Sequence, residues 1–222
     1  MLRPLSFGVL FTVIIFFLGT FSMAADVIQL PPPRDDGNLS LERALAQRRS
    51  VRNFAPKPLS MAQISQLLWA AQGITRNGRF RTAPSAGALY PLELYLVAGK
   101  AKGLEPGVYH YQPHDHALMQ TAAGDLRNEL SQTGLGQRAL LSAPAVLVVC
   151  AVFERVTDKY GQRGDRYVHM ESGHAAQNIA LQAVALGLAS VPIGAFHDAQ
   201  VQKVLGLSPT FEPLYLLPVG VP

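Results

Sequence analysis

Arg48, Arg49 and Arg52 crowd around Ser50 in the stretch RRSVRNF, residues 48–54. Guanidinium groups and a hydroxyl at this spacing suit a phosphate dianion, because guanidinium meets phosphate oxygens with paired, directed hydrogen bonds. The alternative is a helix-terminating cation cluster, since positive charge is favoured at a helix C-terminus. A second stretch, Pro84-Ser85-Ala86-Gly87-Ala88, is nearly free of side-chain bulk. Small residues let backbone amides and a serine hydroxyl approach a flat ligand closely, although an ordinary turn has the same composition. In a third, VPIGAF (191–196), Pro192 precedes Gly194 and Ala195, which can present two successive backbone N–H groups to an acceptor. Lys159-Tyr160 offers two groups able to move a proton when their environment tunes them, or else a surface pair in the polar loop DKYGQRGDR.

Two further sets carry other chemistry. His110, His114 and His116 in HYQPHDH are transition-metal donors by type, but their spacing fits no standard zinc pattern and the stretch reads as a polar hairpin connection. Cys150 ends the apolar run from Ala145 and reads as a buried strand residue; as the lone cysteine it has no internal disulfide partner.

The elements that must position these groups follow from periodicity and caps. Ser40 caps a helix over LERALAQRR, which ends before Pro56 and Pro58. Ser60 caps a second helix, MAQISQLLWAAQ, in which Ile64, Leu67, Leu68 and Ala71 share a face and Gly73 is the stop. Strands are predicted at Leu92–Ala98, Val108–Tyr111, Ala145–Val152 and Leu214–Val219. A long small-residue helix is predicted over about 166–187 and a shorter one over Ala199–Leu205. Helices and strands mix without regular βαβ alternation, so the fold class is α+β.

RRSVRNF, PSAGALYP and VPIGAF, in this order, resemble the nitroreductase superfamily of FMN-dependent oxidoreductases. LLWAAQGI, GVYHY, KYGQRGDRY, GHAAQN and the closing LPVG resemble more closely its azoline-oxidase-like branch, the SagB-type dehydrogenases. The likeness covers about residues 40–222. It implies a nitroreductase-type fold, a central mostly antiparallel sheet flanked by helices, acting as a homodimer with FMN at the interface. It also implies ping-pong hydride transfer at flavin N5, with a small-molecule or peptide-derived substrate. Carried over by position, Arg48, Ser50 and Arg52, with Arg49 beside them, hold the FMN phosphate and ribityl chain. Pro84, Ser85, Ala86 and Gly87 approach the flavin from the partner subunit. Gly194 and Ala195, after Pro192, serve the N5 and O4 edge, and Gln137 serves the pyrimidine end. Lys159 and Tyr160 match a pair proposed to move protons in azoline oxidation. The sequence departs from the pattern at Gly194, where many nitroreductases carry glutamate, and after the final glycine, where PVGVP lacks a basic pair.

Composition bounds the remaining readings. A balance of 19 Lys+Arg against 15 Asp+Glu, net +4, is too modest to argue for nucleic acid. Residues 1–24 carry Arg3, an apolar run from about Phe7 to Leu18, and Ser22-Met23-Ala24 before a cleavage point at Ala24/Ala25. This is the pattern of a secretory signal peptide and predicts a secreted or periplasmic protein; an uncleaved, membrane-anchored form is the alternative. Residues 25–39 read as a proline-rich linker. Export disfavours a plain NAD(P)H nitroreductase and leaves room for a dehydrogenase using an unusual acceptor. A metal-binding protein built on the three histidines, or a flavin-fold protein without turnover, are the competing functions.

Overall fold

In the computed structural model, which describes residues 27–222, one seven-stranded sheet lies between two helical layers. Its strands in chain order are β1 (Val27–Gln29), β2 (Leu92–Ala98), β3 (Gly107–Gln112), β4 (Ala117–Ala123), β5 (Ala145–Ala151), β6 (Ala189–Ser190) and β7 (Glu212–Gly220). The helices of five residues or more are α1 (Leu41–Gln47), α2 (Met61–Gln72), α3 (Arg127–Thr133), α4 (Arg138–Ser142), α5 (Glu154–Tyr160), α6 (Arg163–Ala185) and α7 (Asp198–Leu205). Across the sheet the order is β1-β4-β3-β2-β5-β7-β6, with every neighbouring pair antiparallel. The expected α+β class with a central antiparallel sheet is thus the observed one.

Strand β5 sits inside the sheet between β2 and β7 and reads AVLVVCA, buried at every position. A strand covered on both faces needs apolar residues throughout, whereas one with a wet face alternates. Alternate side chains of β2 and β5 feed two cores. Leu92, Leu94 and Leu96 with Leu147 and Val149 pack under α2 and α6. Tyr95 and Val97 with Val146, Val148 and Cys150 pack with Leu130, Leu140, Val201 and Leu205 of α3, α4 and α7. Cys150 is fully buried, and burial pushes its thiol upward in pKa, so it acts as a core residue.

Helix α2 has the expected bounds for a local reason. The Ser60 hydroxyl accepts from the Gln63 amide while the Gln63 side chain returns to the Ser60 amide, and the chain leaves the helix at Gly73. A Cβ on Gly73 would stand 2.1 Å from Cδ1 of Trp69, so the exit requires glycine. Helix α1 is capped by Ser40 as expected, but it ends at Gln47 and leaves the arginines outside.

Residues 25–39, expected as a linker, are tied to the domain from Val27 onward. Val27, Ile28 and Gln29 pair with Met119, Leu118 and Ala117, and Leu30 is buried. The Ser65 hydroxyl donates to the Pro31 carbonyl at 2.6 Å, and Gln66 exchanges hydrogen bonds with the Arg34 backbone. The expected signal peptide, residues 1–24, lies outside the described residues. No helix among the described residues is long and apolar enough to cross a membrane.

Candidate active site

The arginine cluster is extended backbone, laid along the sheet edge. Ser50 bridges Ser190 in parallel, the Val51 amide donates to the Ser190 carbonyl at 3.1 Å, and the Ala55 amide donates to the Val221 carbonyl at 2.8 Å. The last turn of α1 holds no basic residue, so the cluster does not serve as the helix's terminal charge. Among the described residues no carboxylate pairs with Arg48, Arg49 or Arg52; the one hydrogen bond there runs from Arg49 Nε to the Gln47 carbonyl at 3.2 Å. Positive charge is concentrated at an exposed edge and left uncompensated.

The chain that bridges Ser50 at Ser190 runs directly into VPIGAF. Val191 and Ile193 are buried while Pro192, Gly194 and Ala195 face outward. Ile193 is fixed by a reciprocal pair of 2.9 Å hydrogen bonds with Leu216 of β7. Among the described residues neither the Gly194 nor the Ala195 amide donates to another protein group. Gln137, expected near the same ligand, donates from Nε2 to the Ala195 carbonyl at 3.0 Å. The fold therefore joins two segments nearly sixty residues apart. A Cβ on Gly194 would meet only the Tyr215 ring, at 3.9 Å, so a larger residue fits there without disturbing the amide edge.

The third segment forms a separate cluster. Residues 86–88 make one 3-10 turn, with Gly87 at φ 63°. A Cβ on Gly87 would stand 2.8 Å from the Tyr160 hydroxyl and 3.0 Å from Lys159 Nζ. The left-handed backbone favours glycine, and its missing side chain leaves room for the ends of Tyr160 and Lys159. Lys159 and Tyr160 lie in the last turn of α5, rather than in the polar loop that their sequence suggests. Lys159 Nζ is 5.3 Å from the centre of the Tyr160 ring, and that ring packs edge-on against Tyr167 of α6. Among the described residues no hydrogen bond joins residues 84–87 to the 48–52 or 191–196 segments.

Glu171 of α6 is the residue that sequence reasoning missed. It is 2% exposed, and neither carboxylate oxygen has a hydrogen-bond partner among the described residues. Burial pushes the carboxyl up to about 7, against the opposing pull of the nearby Ser85 hydroxyl and Arg81 guanidinium. It lines a cleft of about 250 Å³ with Pro84, Ser85, Ala86, Tyr167, Met170 and His174. The signal was present in the sequence: Glu171 lies three residues after Val168 and four before Ala175, on the buried stripe that continues to Ile179 and Ala183.

The three histidines do not converge. His110 Nε2 is 2.8 Å from Glu93 Oε2, and its ring stacks on Tyr95 at 4.5 Å. His116 lies toward the other core, with Nδ1 2.9 Å from the Tyr111 hydroxyl and Nε2 2.7 Å from Ser65 Oγ. Among the described residues no three His, Cys, Asp or Glu side chains form a metal-sized group. The metal-binding alternative thus loses its ligand set.

Comparison with solved structures places this architecture among oxidoreductases of the nitroreductase type. A crystal structure from Anabaena variabilis superposes with a TM-score of 0.79 at 30% identity, over 89% of this chain and 42% of that one. MJ1384 of Methanocaldococcus jannaschii is 44% identical over 193 residues, covering 87% of this chain and 95% of the relative. The microcin B17-processing protein McbC of Escherichia coli is 34% identical over 187 residues, 80% of this chain and 69% of McbC. The Escherichia coli microcin synthetase McbBCD complex with truncated pro-MccB17 bound superposes with a TM-score of 0.68 at 28% identity, over 96% of this chain and 84% of that one. Residues 45–221 match the profile of the Nitroreductase family. The chain belongs to that family, on its SagB-type branch, and is an oxidoreductase.

Proposed function

We propose that this chain is an FMN-dependent dehydrogenase acting on a peptide-derived substrate, as a homodimer outside the cytoplasm. The observation that carries the reading is the run of unspent donors along one edge: uncompensated Arg48 and Arg52, the Ser50–Ser190 bridge, and the free Gly194 and Ala195 amides four and five residues further on. A strand advances about 3.3 Å per residue, so a phosphate-binding end and a ring-binding end lie on the order of 13 Å apart along this edge. That span suits a ligand with an anionic tail and a flat head bearing acceptors, and the residues present fit FMN. When bound, FMN supplies the two-electron acceptor at N5.

The chain's own residues supply the rest. Arg48, Arg52 and Ser50 anchor the phosphate, with Arg49 alongside. Gly194 and Ala195 donate to the ring edge, and Gln137 steadies Ala195 through its carbonyl. Removing hydride from a carbon also releases a proton, which needs a base. In this reading Lys159 and Tyr160, whose side-chain ends lie close to Gly87, take it. No hydrogen bond among the described residues joins the 84–87 loop to the donor edge, and in this reading a second copy completes the site by bringing its loop across. The peptide substrate is supported by the likeness to McbC and to the complex holding pro-MccB17. Export is supported by the leader-like sequence of residues 1–24.

The purified chain should be yellow, show flavin absorbance that bleaches under dithionite, and run as a dimer. Arg48→Ala combined with Arg52→Ala should weaken FMN binding by roughly 3 kcal/mol, the scale of two lost charge-assisted contacts. Unchanged FMN affinity, measured by fluorescence titration, removes these side chains from the site.

A further inference from the structure

We propose that His116 is a pH-operated latch on the N-terminal strap, residues 27–39. Neutral, it holds the strap against α2; protonated, it lets the strap go and opens the cleft that the strap walls. The strap hangs on this residue at two points. The Leu30 amide donates to the His116 carbonyl at 3.1 Å, and the ring Nε2 lies 3.1 Å from the Pro31 carbonyl. His116 itself sits in the turn between β3 and β4 at φ 46°, a left-handed conformation that is strained for a non-glycine residue and persists where surrounding contacts enforce it. Beyond Pro31, Gln66 of α2 clasps the Arg34 backbone. Residues 34–39 then form one wall of a cleft of about 430 Å³ that Trp69 and Leu181 also line.

The hydrogen bonds fix the protonation state of the ring. The Ser65 hydroxyl gives its proton to the Pro31 carbonyl at 2.6 Å, so its oxygen accepts from His116 Nε2–H, 2.7 Å away. Nδ1 is then the unprotonated nitrogen and accepts from the Tyr111 hydroxyl at 2.9 Å. A second proton, on Nδ1, would set two donors face to face. Tyr111 is 1% exposed, and among the described residues its hydroxyl has no other partner. Turning that hydroxyl to accept would strand its own proton in the core.

The groups around the ring do not offset a positive charge. Tyr111 is the ionisable group facing it from β3, and burial pushes that hydroxyl upward in pKa, so it stays neutral while the imidazole titrates. Ser65 from α2 and Pro31 from the strap carry no charge. In the same turn His114 and Asp115 are exposed, and among the described residues neither bonds to the ring. Arg81, whose charge reaches Tyr111, is a cation and would repel an imidazolium. Burial pushes His116 below the ordinary histidine value, against the smaller pull of the Pro31 carbonyl. With the folded pKa below the unfolded one, the latch contributes stability above the ordinary histidine range and loses it as pH falls through that range. The latch does not rest on the flavin reading.

Tryptophan emission of the purified full chain, carrying whatever flavin it retains, reads the strap directly, because Trp69 is the one tryptophan and lines the cleft. As pH falls from about 8 to 5, acrylamide quenching should rise about twofold in a single step while far-UV circular dichroism stays constant. Hydrogen exchange at the Leu30 amide, corrected for the intrinsic effect of pH, should quicken roughly tenfold over the same range with β5 unaffected. His116→Asn tolerates the left-handed backbone but cannot titrate, so its quenching should be flat with pH whether its strap rests open or closed. Ser65→Ala keeps the imidazole but weakens the closed state, and should move the step to higher pH. A flat wild-type profile overturns the latch, as does a step that survives in His116→Asn or stays in place in Ser65→Ala. A step accompanied by loss of the far-UV signal also overturns it, because that reports global unfolding.

Discussion

Two glutamates, the half-buried Glu93 on β2 and the buried Glu171 on α6, show how differently one fold treats the same side chain. Both lie within electrostatic reach of Arg81. Glu93 is fully served: His110 Nε2 sits 2.8 Å from one oxygen and Arg155 Nη2 2.6 Å from the other, while Arg155 Nη1 also holds the Tyr90 carbonyl at 3.1 Å. Burial raises its pKa, but the His110 hydrogen bond and the Arg155 charge outweigh that effect, and the net shift is downward. At Glu171 desolvation outweighs the opposing pull of the Ser85 hydroxyl and the Arg81 guanidinium, and the net shift is upward. Burial alone therefore says little about the role of an acid. An acid with strong partners is held ionised; one short of donors keeps its proton to higher pH.

The difference can be broken from either side. The largest effect is expected from Glu93→Ala, which strands His110 and Arg155 and should cost about 3 kcal/mol in urea denaturation at pH 7. A loss below about 1 kcal/mol would mean that solvent replaces Glu93 and that the network is not structural.

Next comes the pH dependence, where the two acids have opposite signs. The folded pKa of Glu171, about 7, stands above its ordinary 4.5, so its stabilising share is complete below pH 4.5 and is lost as pH rises through 7. Glu171→Gln should remove that loss, gaining up to roughly 3 kcal/mol on wild type between pH 4 and pH 8. Glu93, with its pKa lowered, contributes stability above the ordinary carboxylate range and loses it as pH falls through its folded value. Parallel pH–stability curves for wild type and Glu171→Gln would show that Glu171 is partnered in solution. The smallest effect belongs to Arg155→Ala. Its side chain is 40% exposed and Glu93 keeps His110, so about 1 kcal/mol is expected by the same denaturation measurement.

Legibility in the sequence followed the range of the forces. Helix α2 was readable because its signals, the Ser60–Gln63 capping box and Gly73, lie within one turn of its ends. Strand β2 was readable from LELYLVA, and α7 ends at Leu205 as expected, starting one residue earlier than expected. Helices α3, α4 and α5 were missed; none has a side-chain cap, and each is seven residues or shorter, so tertiary packing rather than local propensity holds them. Strand β1 was hidden in a proline-rich stretch because its three residues become a strand only against β4, some ninety positions away.

By itself the sequence determined which side chains can do chemistry and where the strongest helices and strands start and stop. These depend on residue type and on contacts within a few positions. Tertiary structure alone decided which of those groups meet: Gln137 with Ala195, Gly87 with Lys159 and Tyr160, Ser50 with Ser190. It also decided that Glu171 is left short of donors while Glu93 meets both His110 and Arg155. Desolvation and pairing depend on what every other segment places around a group, and no local pattern encodes that.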